Sequence, residues 1–244
     1  MPALYPYLFF VVLLAYTVKG IVGFGNTLIM APLFSFAVSP RLTTPLDLLM
    51  SIPTNAYLVW KERHSIDWKV AIPLSAMLLL GDIPGAFLLT VGEDRYLKAL
   101  LGLVIMGIAI EMLTRSRVKQ STGPMNPVWL WVIGLLSGVL AGLYGVAAPL
   151  IAYVSRTTNS RNQFRGTLAC VFLADNIFRF IYYGFAGLLN RGVWQYFLIL
   201  FPAVALGMLL GGRLDQFLQE KTVTRLVIAL LLFSGAVLFT KSLL

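Results

Sequence analysis

The sequence predicts an all-α polytopic membrane protein built of two inverted repeats, each a glycine-broken re-entrant helical hairpin followed by three transmembrane helices. Three observations carry this expectation. Of the 244 residues, 59% are hydrophobic and only 12% charged, against about 25% charged in an ordinary soluble domain. The apolar stretches are continuous and approach the roughly 20 residues a helix needs to cross a hydrocarbon core, far longer than the alternating strands of a membrane barrel. The pattern of the first half also returns in the second: Trp68, Gly81 and Gly85 recur as Trp194, Gly207 and Gly211, each 126 residues later, and "APL" at 31–33 recurs at 148–150.

The first apolar segment, 5–38, contains "YTVKGIVGFGNTLIMAPL" at 16–33. Lys19, Gly20, Gly23, Gly25, Asn26 and Pro32 are residues that a plain spanning helix avoids, so the chain is expected to turn here. Non-helical backbone at membrane depth is tolerated only where protein or a water-filled cavity surrounds it. Asn26 or Thr27 is placed to N-cap the returning half-helix, whose N–H groups and positive dipole end attract anions. Three ordinary segments follow at 44–60, 66–91 and 95–114, completing a first repeat over 1–113. In the first of them Asp47 stands at N3 behind Thr44 and Pro45, a helix-start signature that makes it a capping residue. The hydrophilic stretch 114–127 is the linker. The second repeat, 128–244, has its hairpin at 128–155 and helices at 163–189, 192–213 and 222–243. Glycines spaced by four, at 134, 138 and 142, 81 and 85, and 207 and 211, read as close helix packing.

Charge orients the repeats. If every segment simply crossed, 8 Lys and Arg residues would lie on one side and 9 on the other. If the two hairpins return to the side they entered, the count becomes 12 against 5, and the richer side is the cytoplasm. Each half then makes three crossings, the halves are inverted, and both termini lie outside a multi-pass inner-membrane protein. The net charge of +9 is thus spent on topology rather than on nucleic acid. The single Cys170 excludes an intrachain disulfide. No basic n-region or small-residue cleavage site marks the N-terminus as a removable signal.

A charge at the bilayer centre costs roughly 2.5–3.5 kcal/mol, so deep ionisable residues need a reason. Four are deep by segment position: Lys19, Asp82, Asp175 and Arg179. Asp175 and Arg179, four apart on one helix, either neutralise each other or place Arg179 in the cavity with the aspartate orienting it. Lys19 either snorkels, pairs with Asp82, or attracts an anionic substrate. Asp82, between Gly81 and Pro84, is that partner or a carboxyl that takes up a proton. Asn55 and Asn176 occupy similar places in the second segment of each half and bond either a substrate or a neighbouring helix.

The segments "KGIVGFGNTLIMAPL" and "GVLAGLYGVAAPL" (138–150), each glycine-rich and each leading into a proline-leucine step, resemble the sulfite exporter (TauE/SafE) family of bacterial membrane transporters over nearly the whole chain. The resemblance implies transport of small, typically sulfur-containing anions such as sulfite or sulfonates.

The leading expectation is therefore an anion carrier working by alternating access, as in other repeat-built transporters. Lys19 and Arg179 would supply charge near the midplane. The backbone around Gly23, Gly25, Asn26 and Thr27, and around Gly142, Tyr144 and Gly145, would supply donors, with Asn55 and Asn176 beside them. Asp82 and Asp175 would serve coupling or charge pairing, with proton coupling as an option. The partners are a small anion and the bilayer, with no cofactor and no metal. An anion channel or a proton-coupled organic-acid carrier is the alternative. An intramembrane enzyme is disfavoured, since the apolar segments hold no histidine, no HExxH and no nucleophile with a base.

Overall fold

Glycine ends the first helix. In the computed structural model, which describes residues 4–115, 127–215 and 220–243, α1 (Leu4–Val22) stops at Gly23 and Gly25, both at φ 94°. That backbone is strained for any residue with a Cβ. The chain turns into α2 (Asn26–Ser35) and then α3 (Pro40–Glu62), α4 (Trp68–Val91) and α5 (Asp94–Arg115). The same order of lengths follows in α6 (Pro127–Tyr144), α7 (Ala148–Thr157), α8 (Arg161–Phe185), α9 (Arg191–Leu214) and α10 (Glu220–Leu243). Gly145, at φ 74°, opens the break between α6 and α7. Among the described residues there are ten helices and no strand.

Three details go beyond or correct the sequence reading. The arms of each broken segment are unequal: α1 and α6 have 19 and 18 residues, about 28 and 27 Å, whereas α2 and α7 have 10 each, about 15 Å at 1.5 Å per residue. The glycines that permit the turn gather at the far end of the long arm, so the returning arm alone is short. Second, α3 starts at Pro40, not near Thr44. Proline is tolerated in any first turn, and two prolines five residues apart offered two starts. Asp47 consequently lies inside α3 and does not cap it. Third, α2 begins on Gly25 with no side-chain cap, so neither Asn26 nor Thr27 caps it. The linker 114–127 falls almost wholly outside the described residues.

The chain forms two compact units. One is drawn from 1–47, 92–119 and 190–244, the other from 48–91 and 120–189. In the first, α1 packs along α9, α5 along α10, and α2 lies against α1, α5 and α10. In the second, α4 packs on α6 and α8, with α7 against α6, α8 and α4.

Glycine sets the two tightest crossings. A Cβ on Gly81 or Gly85 of α4 would enter the backbone of α6 at Leu135 or Val139, and one on Gly138 would strike α4 at Leu78. A Cβ on Gly211 of α9 would strike α1 at Thr17, and one on Gly207 would come within 2.8 Å of the Leu13 carbonyl. Without side chains between them the helices meet backbone to backbone.

Large apolar side chains point outward, among them Phe10 (63% exposed), Leu198 (69%) and Phe233 (73%), as lipid contact requires and water does not favour. Among the described residues, α1, α4, α5, α8 and α9 are long and apolar enough to cross a membrane. In α3 the apolar run is diluted by Thr43, Thr44, Asp47, Ser51, Thr54 and Asn55, all buried.

Candidate functional site

Two buried polar clusters follow from these packings, one in each unit. In the first, the turn between α1 and α2 brings its polar side chains to α3. Asp47, 3% exposed, accepts hydrogen bonds on both oxygens: from Asn26 Nδ2 at 2.8 Å and from Thr27 Oγ1 at 2.5 Å. Asn26 Nδ2 also reaches the Tyr16 hydroxyl at 3.4 Å. Lys19 is 1% exposed, with its ammonium 5.6 Å from the centre of the Tyr16 ring and Asp47 as its electrostatic neighbour. Burial on this scale rules out snorkelling. The cluster matches one acid to one base and answers both acid oxygens.

The second cluster joins α4 to α8. Arg179 donates to Asp175 Oδ2 from Nε at 2.9 Å and from Nη2, and to Asn176 Oδ1 from Nη2 at 2.9 Å. The i,i+4 pair of the sequence is therefore formed. Asp82, 0% exposed on α4, has Asp175 and Arg179 as its charged neighbours. Lys19 and Asp82 each have a charged neighbour within their own unit. A turn beyond Arg179, Tyr183 donates to the Gly142 carbonyl at 2.6 Å, satisfying one of the last acceptors of α6. The backbone of α6 reaches α4 at the same level: a Cβ on Gly142 would lie 2.5 Å from the Asp82 carbonyl oxygen.

What separates this cluster from the first is its unanswered atoms. Arg179 Nη1, Asn176 Nδ2, Asp175 Oδ1 and both carboxylate oxygens of Asp82 are buried without a hydrogen-bond partner. Each such group costs about 1–3 kcal/mol, more when charged, and native proteins keep few of them. Two of the unmet groups, one on a guanidinium and one on an amide three residues apart on one helix, are donors of the kind that bind anions.

The other sequence candidates are placed as follows. Gly23 and Gly25 form the first turn, and Gly145 the second. Gly142 and Tyr144 belong to α6 instead of the turn, with Gly142 in the α4 contact and Tyr144 1% exposed. Asn55 is buried on α3 with its side-chain oxygen unpartnered. Neither short helix has a side-chain cap at its N-terminus. His64 borders an open groove of about 650 Å³ with Asp67, Lys69 and Gln163, apart from the buried clusters.

Sequence reading missed Asp47, Tyr16 and Tyr183 as members of these clusters. Spacing held the signal for two of them: Tyr183 is four residues beyond Arg179 and eight beyond Asp175, and Tyr16 is three before Lys19, each on one helix face. For Asp47 the signal lay in the buried polar stripe Thr44, Asp47, Ser51 and Thr54 on α3.

Comparison with known proteins agrees in kind. A family model described as sulfite exporter TauE/SafE matches residues 8–238. A curated relative, the probable inner membrane transporter protein TsaS of Comamonas testosteroni, is 25% identical over 194 residues, which is 78% of this chain and 80% of the relative. No solved structure matches.

Proposed function

Because this chain belongs to the TauE/SafE sulfite exporter family, we propose that it carries a small sulfur-containing anion, sulfite or a sulfonate, across the inner membrane by alternating access. The family membership makes it a membrane transporter and suggests the sulfur-containing class, and the buried donors support an anion as cargo. The observation that carries this reading is the pair of unmet donors in the second cluster, Arg179 Nη1 and Asn176 Nδ2. Arg179 holds the anion by charge and Asn176 by hydrogen bonding. Asp175 fixes the guanidinium so that one face stays committed and the other is left to the ligand. Lys19 is a buried positive charge of the first unit, beside Asp47.

The topology belongs to the same proposal. The two sets of five helices are inverted repeats. The short α2 and α7, at about 15 Å, cannot cross a core of about 30 Å, which supports re-entry. The bias of 12 basic residues against 5 supports termini outside.

The test is ligand stabilisation of the purified protein. A ligand that binds only the native state at about 100 times its Kd adds roughly 2.7 kcal/mol. Among sulfite, thiosulfate, sulfoacetate and acetate, at least one sulfur anion should raise the melting temperature, and the rise should vanish in Arg179→Ala. Flux in proteoliposomes that saturates and is stimulated by substrate on the far side identifies a carrier over a channel. If no sulfur anion stabilises the protein, the proposal fails.

A further inference from the structure

The second cluster does not balance its charges, and the imbalance has the size of a proton. Asp82 and Asp175 face a single guanidinium, so with both carboxyls ionised the cluster holds one net negative charge in a region where each of Asp82, Asp175 and Arg179 is 3% exposed or less. A negative site is a poor seat for an anion. We propose that the Asp82–Asp175 pair takes up protons together with the anion, making the protein a proton–anion symporter suited to uptake. This rests on Arg179 and Asn176 being the anion site.

Geometry supports the proton as well as charge does. Three acceptor oxygens, both of Asp82 and Oδ1 of Asp175, lie buried without a donor, and the two carboxyls are near enough to act on each other. One proton on Asp82 turns an acceptor into an O–H donor aimed at Asp175, and both acids gain a hydrogen bond. The charge then closes: a proton and a monovalent anion enter together, and the buried net charge is the same before and after. A divalent anion takes the second carboxyl as well. The proton comes from the water on the side of entry and leaves to the water on the side of exit.

The surrounding groups allow this assignment. On α4 the acid is Asp82. α8 presents Asp175, Arg179 and Tyr183, the last donating to Gly142 and facing Arg179, Asp82 and Asp175 as well. On α6 and α7, which also pack on α4, the described titratable residues are Tyr144, Tyr153 and Arg156, and none is among the electrostatic neighbours of Asp82. The direction follows from the membrane potential. An anion entering a cell that is negative inside loses about 2.3 kcal/mol per charge per 100 mV, and each accompanying proton returns that amount.

The experiment uses the whole protein in proteoliposomes with methanesulfonate, sulfoacetate and thiosulfate as probes, each ionised across the working range, and a pH indicator inside. With the exterior made acid, a transported monovalent probe should accumulate about tenfold per unit of pH gradient, the equivalent of about 1.4 kcal/mol. About one proton should enter per negative charge. Asp82→Asn should abolish accumulation. Flux that merely equalises the probe and ignores the pH gradient overturns the coupling while leaving the anion carrier intact. Failure of every probe to bind or move overturns the anion site itself. Accumulation by Asp82→Asn at the wild-type level removes Asp82 from the device, and if that variant does not fold, the wild-type proton count decides alone.

Discussion

Two helix crossings in this protein share one frame of glycines and differ in what lies between them. In α4 the residues from Gly81 to Gly85 read Gly-Asp-Ile-Pro-Gly, and in α9 those from Gly207 to Gly211 read Gly-Met-Leu-Leu-Gly. Each crossing closes backbone to backbone on a long helix of its own unit, α6 or α1. The close approach is therefore a property of the glycines, and the acid at Asp82 is not required for it, because Met208 stands at that place in the other crossing. A fully buried carboxyl with no hydrogen bond is an expense the fold could have avoided. The polar clusters differ in the same sense. Around Asp47, one acid, one base and two hydrogen bonds account for both carboxylate oxygens. Around Asp82, two acids share one base, and donors and acceptors are left over. The first cluster ties a turn to α3; the second leaves buried donors and acceptors unmet.

The largest test of this contrast removes the base from each cluster. Arg179→Ala leaves two buried carboxyls without a cation, and breaking a buried pair costs about 3–5 kcal/mol. Lys19→Ala leaves one buried carboxyl instead of two, with both of its hydrogen bonds kept, and should cost less. Denaturation of the two variants in detergent, compared with wild type, measures the difference, and equal losses would place the two clusters in one class. A test of middle size addresses what the crossings have in common. Gly81→Leu and Gly207→Leu each drive a side chain into a facing backbone and should destabilise by about 1–3 kcal/mol or more, by the same mechanism. A thermal scan that finds one of them neutral would break the likeness of the two crossings.

Much of this was legible from residues alone. Hydropathy gave the membrane class, glycine gave the places where helices break, and the four-residue spacing of Asp175 and Arg179 gave their pair, because each signal is local. The partners of Asp82 and Lys19 were not, since a contact between helices depends on register that no single helix encodes. Asp47 was misassigned for a local reason: Thr44, Pro45 and Asp47 carry a real helix-start signature, but Pro40 carries another, and the acid's hydrogen bonds to Asn26 and Thr27 are contacts across about 20 residues of chain that no local pattern shows. The lengths of the arms are not legible in the sequence, because composition locates a break and says little about how far each arm runs.

The smallest expected change in stability belongs to the most direct measurement. Asp82→Met copies the second crossing into the first and leaves Asp175 and Arg179 as a balanced pair. Stability and anion-coupled proton flux should be measured together on the same purified variant. A melting temperature equal to or above that of wild type, since an apolar side chain often replaces a buried charge at no cost, together with loss of proton-driven accumulation, is the predicted result. A fold that collapses, or a proton flux equal to wild type, would show that the acid serves packing or nothing at all, and would contradict the account.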